Sequence, residues 1–184
     1  MNPSLATIAL GANIRSTIGA PAVTLAAALD ALRPLGELSA VSSLWLTPPV
    51  GFADQPWFHN AVAQLRTPLD PASLLTELLR IEMSFGRNRA IAPANGPRTL
   101  DLDLLLYDDR LLSTKELTLP HPRLTDRAFV LLPLAEIAPT LVHPLTRLTI
   151  ADHLALLPAE HRAACTQLNS RPQFPPETQP PSRS

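Results

Sequence analysis

The stretch "GPRTLDLDLLLY", residues 96–107, places an arginine just before an apolar run and two carboxylates inside that run. Because side chains alternate across a β-strand, the pattern predicts a strand with two different faces. The face predicted to pack in the core consists of Leu100, Leu102, Leu104 and Leu106. The other face carries Asp101, Asp103, Leu105 and Tyr107. The two carboxylates would project together, roughly 6 to 7 Å apart along the strand.

The segments that precede this strand predict the fold. Residues 4–10, 37–46 and 58–66 have the apolar and β-branched content of strands. Leucines at helical spacing predict two helices, which begin near Pro21 and Pro71. The resulting order is strand, helix, strand, strand, helix, strand. This is the β-α-β-β-α-β order of a ferredoxin-like α+β core, in which helices pack on one face of an antiparallel sheet. Helices near 127–137 and 150–157 would be C-terminal additions.

Length and composition predict a single domain over residues 1–170, followed by a proline-rich tail over 171–184 with too little apolar content to fold. The formal net charge of −1 argues against non-specific nucleic-acid binding. No run approaches the roughly 20 apolar residues of a membrane-spanning helix, and the N-terminus lacks the pattern of a signal peptide. The single cysteine, Cys165, is compatible with a reducing compartment. We expect a cytoplasmic monomer.

Two neighbouring carboxylates repel each other unless a positive charge lies between them. Carboxylate oxygens are suitable ligands for Mg²⁺, which often completes its shell with water and substrate phosphates. The alternative is that Asp101 and Asp103 occupy a solvated sheet face, and a lone D-x-D would favour that alternative. Three nearby arginines, Arg87, Arg89 and Arg98, change the balance because guanidinium groups match phosphate oxygens. The combination indicates a nucleotide polyphosphate, although the chain has no Walker or G-x-G-x-x-G loop.

Three longer motifs, "TPPVGFADQPWFHNAV", "GPRTLDLDLLLY" and "LPHPRLTDRAFVLLPLAEIAP", together resemble the 6-hydroxymethyl-7,8-dihydropterin pyrophosphokinase family. The resemblance extends from about Ala6 to Leu157. It implies a ferredoxin-like fold, two Mg²⁺ ions and ATP as co-substrate. It also implies transfer of the β,γ-pyrophosphoryl group to the pterin hydroxymethyl group in folate biosynthesis, with release of AMP.

The resemblance also implies roles for individual residues. Asp101 and Asp103 would hold both metal ions, while Arg87 and Arg89 would belong to a mobile catalytic loop. The residues implied to contact ATP are Glu82, Arg98, Leu104, Thr118, His121 and Arg127. The residues implied to bind the pterin are Thr47, Pro48, Val50, Phe58, Asn60 and Phe129. Taken without the resemblance, Glu82 would be interpreted as an exposed helix charge, and Phe58 and Phe129 as core residues.

Two other functions remain open at this stage. One is a non-catalytic metabolite-binding module, since a fold alone does not determine function. Such a module would not need both aspartates together with the loop arginines. The other is a different Mg²⁺-dependent phosphoryl transferase, which would release ADP rather than AMP.

Overall fold

The computed structural model of the chain describes residues 3–87, 96–168 and 172. Its main sheet is antiparallel, with the order β5-β1-β4-β3-β8 and with β2 paired to β4. These strands are β1 (Ser4–Ala12), β2 (Glu37–Val41), β3 (Leu44–Thr47), β4 (Phe58–Thr67), β5 (Asp101–Tyr107) and β8 (Thr166–Leu168). A short hairpin is formed by β6 (Leu112–Ser113) and β7 (Thr118–Leu119).

The described helices are α1 (Pro21–Leu32), α2 (Pro71–Ser84), α3 (Ala128–Ile137), α4 (Ile150–Leu156) and α5 (Ala159–Ala163). Both α1 and α2 begin with proline, whose fixed φ suits the first helical turn. The Asp70 side chain caps α2 by accepting hydrogen bonds from the backbone of Ala72 and Ser73 at 2.9 and 3.0 Å. The predicted α+β fold, with the two core helices on one face of the sheet, is confirmed.

Each face of the sheet has its own apolar core. On one face, α1 and α2 pack leucines such as Leu25 and Leu78 against β1 residues such as Ile8. On the other face, Leu131 and Leu134 of α3 pack against the opposite side of the sheet. The C-terminal additions therefore cover part of the face that carries the aspartates, and the exposed part of that face lies beside α3.

A β-bulge corrects the predicted faces of β5. Thr7 of β1 pairs with Leu106, whereas the next residue, Ile8, pairs with Leu104, so Leu105 is an extra residue on β5. Beyond this point the alternation is inverted: Leu106 joins the α3 core, and Tyr107 joins the α1–α2 core. The prediction that Leu106 shares a face with Leu104, and Tyr107 with Asp103, was therefore wrong.

The predicted strand over 37–46 is interrupted at Ser42. Val41 pairs with Ala63 and Trp45 pairs with Asn60, so the β2–β3 segment has one more residue than its partner. Ser42 is fully buried, and its hydroxyl accepts a hydrogen bond from the Val62 backbone at 2.9 Å. This side-chain contact satisfies a donor that the interrupted strand leaves without a carbonyl partner.

The described part of the chain contains no helix with the length and apolar content needed to cross a membrane. The predicted tail over 171–184 lies outside the described residues, apart from Pro172, which is buried.

Candidate active site

A cleft of about 390 Å³ lies where the N-terminal end of β5 meets the ends of β3 and β4 and the start of α3. Its lining consists of two sets of residues, which we call the charged side and the neutral side. The charged side is lined by Arg87, Arg98, Asp101, Asp103, Arg123, Asp126 and Arg127. The neutral side is lined by Gly11, Thr47, Pro48, Val50, Gly51, Phe58, Asn60 and Phe129.

The two aspartates of β5 both reach the cleft, as strand alternation predicts. Their side chains are partly exposed, 18% for Asp101 and 31% for Asp103. Asp101 contacts Arg87 through one carboxylate oxygen and Arg98 through the other, the latter at 2.6 Å. Asp103 lies 3.6 Å from a guanidinium nitrogen of Arg127. Each carboxylate therefore already has a cationic neighbour.

The arginines determine the protonation state of Asp101. Burial favours the neutral carboxyl, but the charges and hydrogen bonds of Arg87 and Arg98 outweigh it and hold the pKa of Asp101 below its ordinary value. Asp101 is therefore a carboxylate at neutral pH, as a metal ligand must be.

The side chain of Arg87 is held in place by an ion pair with Glu82 of α2. The Glu82 carboxylate is buried, 1% exposed, and lies 3.1 Å from an Arg87 guanidinium nitrogen. The same Glu82 oxygen accepts a hydrogen bond from the Leu102 backbone at 2.8 Å, and Arg87 donates to the Leu100 carbonyl at 2.9 Å. Glu82 thus ties Arg87 to the start of β5 and is not part of the cleft lining. Its predicted contact with the nucleotide stays a prediction.

The neutral side is organised by a buried amide. Asn60 on β4 is 7% exposed and donates a hydrogen bond to the hydroxyl of Thr47 on β3 at 2.7 Å. Gly11 on β1 pairs with Asn60, and a Cβ at Gly11 would lie 2.9 Å from the Asn60 Oδ1 atom. Glycine at this position therefore leaves room for the amide.

Two aromatic rings join the neutral side to the charged side. The guanidinium carbon of Arg98 lies 5.3 Å from the centroid of Phe58, and that of Arg127 lies 5.3 Å from the centroid of Phe129. Such contacts are attractive and hold both arginines at the border between the two sides. All six residues predicted to bind the pterin line the cleft.

Three further predicted residues do not line the cleft. Leu104 is buried in the sheet core, and Thr118 is exposed on β7. The backbone of His121 donates to the Leu105 carbonyl at 2.8 Å, and burial lowers the pKa of His121 despite the opposing charge of Asp103. Their predicted contacts with the nucleotide stay predictions. Arg89 lies outside the described residues.

Sequence reasoning did not assign Gly11, Gly51, Arg123 or Asp126 to the site. Arg123 and Asp126 belong to the motif "LPHPRLTDRAF", which carries His121, Arg127 and Phe129, so proximity in sequence was an available signal. Gly11 gives no such signal, because its role depends on the approach of Asn60 from a neighbouring strand.

The sequence profile of the family described as 7,8-dihydro-6-hydroxymethylpterin-pyrophosphokinase (HPPK) matches residues 7–139. This chain belongs to the HPPK family. The matched region contains every residue of the cleft lining. The family predicted from the three motifs is therefore confirmed, and with it, at the level of the family, pyrophosphoryl transfer to 6-hydroxymethyl-7,8-dihydropterin.

Curated relatives of this HPPK-family chain carry matching names. The 2-amino-4-hydroxy-6-hydroxymethyldihydropteridine pyrophosphokinase of Pseudomonas aeruginosa is 48% identical over 139 residues, which cover 74% of this chain and 82% of the relative. The Haemophilus influenzae protein of the same name is 45% identical, covering 74% of this chain and 83% of the relative. The folic acid synthesis protein fol1 of Pneumocystis carinii is 41% identical, covering 68% of this chain but 17% of that protein.

Solved structures agree on the HPPK fold. The crystal structure of Plasmodium falciparum HPPK-DHPS with pteroate superposes with a TM-score of 0.67 at 16% identity. The match covers 84% of this chain and 44% of that chain, so the present chain spans less than half of the solved protein. At this identity the likeness supports the fold alone.

The HPPK cleft has a donor set that suits Mg²⁺. This ion commonly takes one or two carboxylates and completes its octahedral shell with water and phosphate oxygens. Asp101 and Asp103 provide two such carboxylates on the cleft wall. In residues 3–87 and 96–168, no group of three or more acidic, histidine or cysteine side chains is gathered for a metal. Water and substrate phosphate oxygens would complete the shell of an ion held by these two carboxylates.

Proposed function

We propose that this chain transfers the β,γ-pyrophosphoryl group of ATP to the hydroxymethyl group of 6-hydroxymethyl-7,8-dihydropterin, giving AMP and the pterin diphosphate. The observation that carries the proposal is the division of one cleft into a charged side and a neutral, aromatic side. A triphosphate needs the first, and a flat heterocycle with a polar edge needs the second. Their meeting in one cleft would bring the pterin hydroxyl close to the phosphates.

The charged side would hold the triphosphate. Asp101 and Asp103 would hold two Mg²⁺ ions, which would supply charge neutralisation for the phosphates when bound. Arg98 and Arg127 would contact phosphate oxygens from the border of the cleft, and Arg87 would do so from the α2 side. In the free protein, these arginines form ion pairs with the same two aspartates. Arg87 and Arg98 contact Asp101, and Arg127 contacts Asp103. Substrate binding would therefore exchange carboxylate contacts for phosphate contacts.

Further nucleotide contacts complete this part of the proposal. His121, Thr118 and the backbone of Leu104 would lie toward the nucleotide, and Glu82 would act there or through Arg87. Arg89 would join the phosphates from the loop that follows Arg87. Burial keeps His121 neutral, so its imidazole could accept or donate a hydrogen bond without adding charge.

The neutral side would hold the pterin. Phe58 and Phe129 would stack on its ring, and Asn60 would pair with its polar edge. The hydrogen bond from Asn60 to Thr47 fixes the amide orientation before substrate arrives. Pro48 and Val50, in the segment after β3, would close over the ring.

The reaction would proceed by in-line displacement. The pterin hydroxyl oxygen forms a bond to the β-phosphorus, while the bond from that phosphorus to the oxygen bridging it to the α-phosphorus breaks, and that oxygen leaves with AMP. The hydroxyl proton passes to solvent. Rate enhancement would come mainly from positioning and from the cationic surroundings of the transferred group.

The proposal extends to the setting of the enzyme. We propose one pyrophosphokinase domain over residues 1–170 that acts as a cytoplasmic monomer, with both sides of the cleft supplied by one chain. Cys165 is the single cysteine and forms no disulfide, which is compatible with a reducing compartment. Light scattering coupled to size-exclusion chromatography tests the monomer directly, since a dimer would double the measured mass.

Product analysis tests the chemistry. Purified protein is incubated with ATP, Mg²⁺ and 6-hydroxymethyl-7,8-dihydropterin, and the nucleotides and pterins are separated by chromatography. We expect AMP and pterin diphosphate in equal amounts, and no AMP when the pterin is omitted. ADP as the product would indicate a simple phosphoryl transferase, and untouched ATP with folded protein would indicate a binding module.

A further inference from the structure

Arg123, in the segment that leads to α3, differs from the other arginines that line the cleft. Those three form ion pairs with the two aspartates of β5. Arg123 lines the same charged side, but no carboxylate of the described residues lies within 4.0 Å of its guanidinium nitrogens. Its hydrogen bond to His121 is made by the backbone and leaves the side chain out. Arg123 is therefore a cleft cation whose charge is not already used within the described part of the chain.

The backbone holds Arg123 at the edge of the cleft. Its N–H donates to Nδ1 of His121 at 3.1 Å, and the N–H of Leu124 donates to the His121 carbonyl at 3.0 Å. The Leu124 side chain is fully buried in the α3 core. Arg123 itself is exposed. Its side chain thus extends from an anchored backbone and is accessible from solvent.

Arg123 adds positive charge to a part of the cleft that already contains a cation. Burial lowers the pKa of Arg127, and the charge of Arg123 is the next cause, ahead of the opposing charge of Asp103. The two guanidinium groups therefore lie close enough to repel each other. An anion bound near both would relieve this repulsion.

We propose that Arg123 captures the phosphates of the nucleotide at the exposed edge of the cleft. The inference rests on the proposed function, because it assumes that ATP phosphates bind on the charged side. The three paired arginines would have to leave their carboxylates before they contact phosphate. Arg123 would not, so it would form the first contact, and the other arginines would exchange partners afterwards.

The physical basis is electrostatic steering. An exposed charge beside a binding site raises the rate at which an oppositely charged ligand associates, and it makes that rate sensitive to salt. It has much less effect on dissociation. A guanidinium that is fixed on phosphate in the final complex would behave differently, because its loss would speed dissociation and lysine would not replace its planar fork. An arginine that is only a solvated surface charge would change neither rate.

Stopped-flow fluorescence measures both rates. The nucleotide analogue is a fluorescent, non-hydrolysable form of ATP, mixed with the protein in the presence of Mg²⁺ at low and high salt. For Arg123→Ala we expect the association rate constant to fall about 3- to 10-fold at low salt, and by less at high salt because salt screens the charge. The dissociation rate constant should change by less than about 2-fold. In steady-state assays the loss should appear mainly in kcat/KM for ATP.

Two further variants separate the charge of Arg123 from its shape and from net charge. Arg123→Lys keeps the charge without the guanidinium fork, and it should associate at close to the wild-type rate. Arg110→Ala is the matched control. Arg110 is also exposed, but its guanidinium carbon lies 5.6 Å from the centroid of Tyr107, and it does not line the cleft. This variant loses the same charge and should keep the wild-type association rate.

The outcomes separate the inference from the proposed function. An Arg123→Ala variant with the wild-type association rate and salt dependence overturns the capture role. A loss confined to dissociation, or one that lysine does not restore, also overturns it, since either indicates a fixed guanidinium contact. An equal loss in Arg110→Ala overturns it as well, because net charge alone would explain the effect. Wild-type protein that does not bind the nucleotide analogue overturns the proposed function itself, and the inference with it.

Discussion

The charged and neutral sides of the cleft are built on different principles. On the charged side, Asp101 and Asp103 are paired with arginines of the same site, so charge is compensated before any ligand arrives. On the neutral side, the Asn60 amide is held by Thr47, with Gly11 leaving the space for it. Under the proposed function, the charged side would exchange partners to bind phosphate, whereas the amide of the neutral side is already held in place. Changes on the first should therefore affect turnover, and changes on the second should affect pterin affinity.

The largest effect should come from Asp103→Ala. We expect turnover to fall by at least about 10²- to 10³-fold, since the proposed function assigns this carboxylate to the metal ions that organise the phosphates. The fold should persist because the Asp103 side chain is 31% exposed and lies on the cleft wall. Steady-state kinetics with thermal unfolding of the same sample measures both. Asp109→Ala, at an exposed turn after β5, is the matched control and should keep activity. Near-normal turnover of the Asp103→Ala variant would contradict the assignment of Asp103 as a Mg²⁺ ligand.

A smaller effect, confined to the neutral side, should follow from Phe58→Leu. The proposed function stacks the Phe58 ring on the pterin, so its loss should weaken pterin binding about 5- to 10-fold, as expected for an aromatic contact. Affinity for the nucleotide analogue should change less, although Arg98 lies on the Phe58 ring. Isothermal titration calorimetry gives the Kd of the pterin and the Kd of the nucleotide analogue separately, and so tests whether the loss is confined to the pterin. Phe52→Leu, in the segment after β3 but not in the cleft lining, is the control. Equal losses for both ligands would show that the two sides are not separable.

Gly11→Ala tests whether the position of the Asn60 amide matters for pterin binding. The added Cβ would lie 2.9 Å from Asn60 Oδ1, so the amide must move by a few tenths of an ångström. We expect pterin affinity to fall roughly 3-fold because the hydrogen bonds of the amide are misaligned. The same substitution in an Asn60→Ala background should add nothing, since two residues in contact are not additive. Additive losses would indicate that Gly11 acts through another route.

The smallest effect is on the pH dependence of stability. The pKa of Asp101 is lowered in the folded protein, since Arg87 and Arg98 outweigh burial. The carboxylate therefore stabilises the fold above the unfolded pKa of about 4, and this contribution is lost as pH falls through the folded pKa. Asp101→Asn should lower the free energy of unfolding at pH 6, and the gap from wild type should narrow toward pH 3. Denaturant titrations at both pH values measure the free energy of unfolding of each protein. A difference between wild type and variant that is the same at pH 6 and pH 3 would contradict the ion-pair account.

Much of the fold could be predicted from local patterns. The element order follows from strand alternation, leucines at helical spacing and prolines at helix starts, and these features act within a few residues of one another. Two details escaped because they depend on a neighbouring strand. The bulge at Leu105 exists only relative to β1, and the break at Ser42 exists only relative to β4. The residue pattern within a single strand therefore cannot predict the bulge or the break.

The candidate site divides in the same way. The pairing of Asp101 with Asp103 is a property of one strand, and the sequence alone determined that these carboxylates project together. The resemblance supplied Arg127 and six of the eight residues of the neutral side, all of which reach the cleft. The contact of Glu82 with the nucleotide stays a prediction, whereas the helix pattern alone made Glu82 an exposed charge, and this was wrong: its carboxylate is buried against Arg87 and the backbone of β5. A helix pattern does not show which polar residue will be covered by the strand packed against it.

The sequence by itself determined the α+β class, the order of the core elements, the family and the chemical types present at the site. These depend on short-range rules and on motifs that are contiguous along the chain. Only the tertiary structure decided which carboxylate each paired arginine contacts and how α3 covers the second face of the sheet. Those contacts join residues far apart in sequence, and their partners are selected by packing and by the need to satisfy buried polar groups.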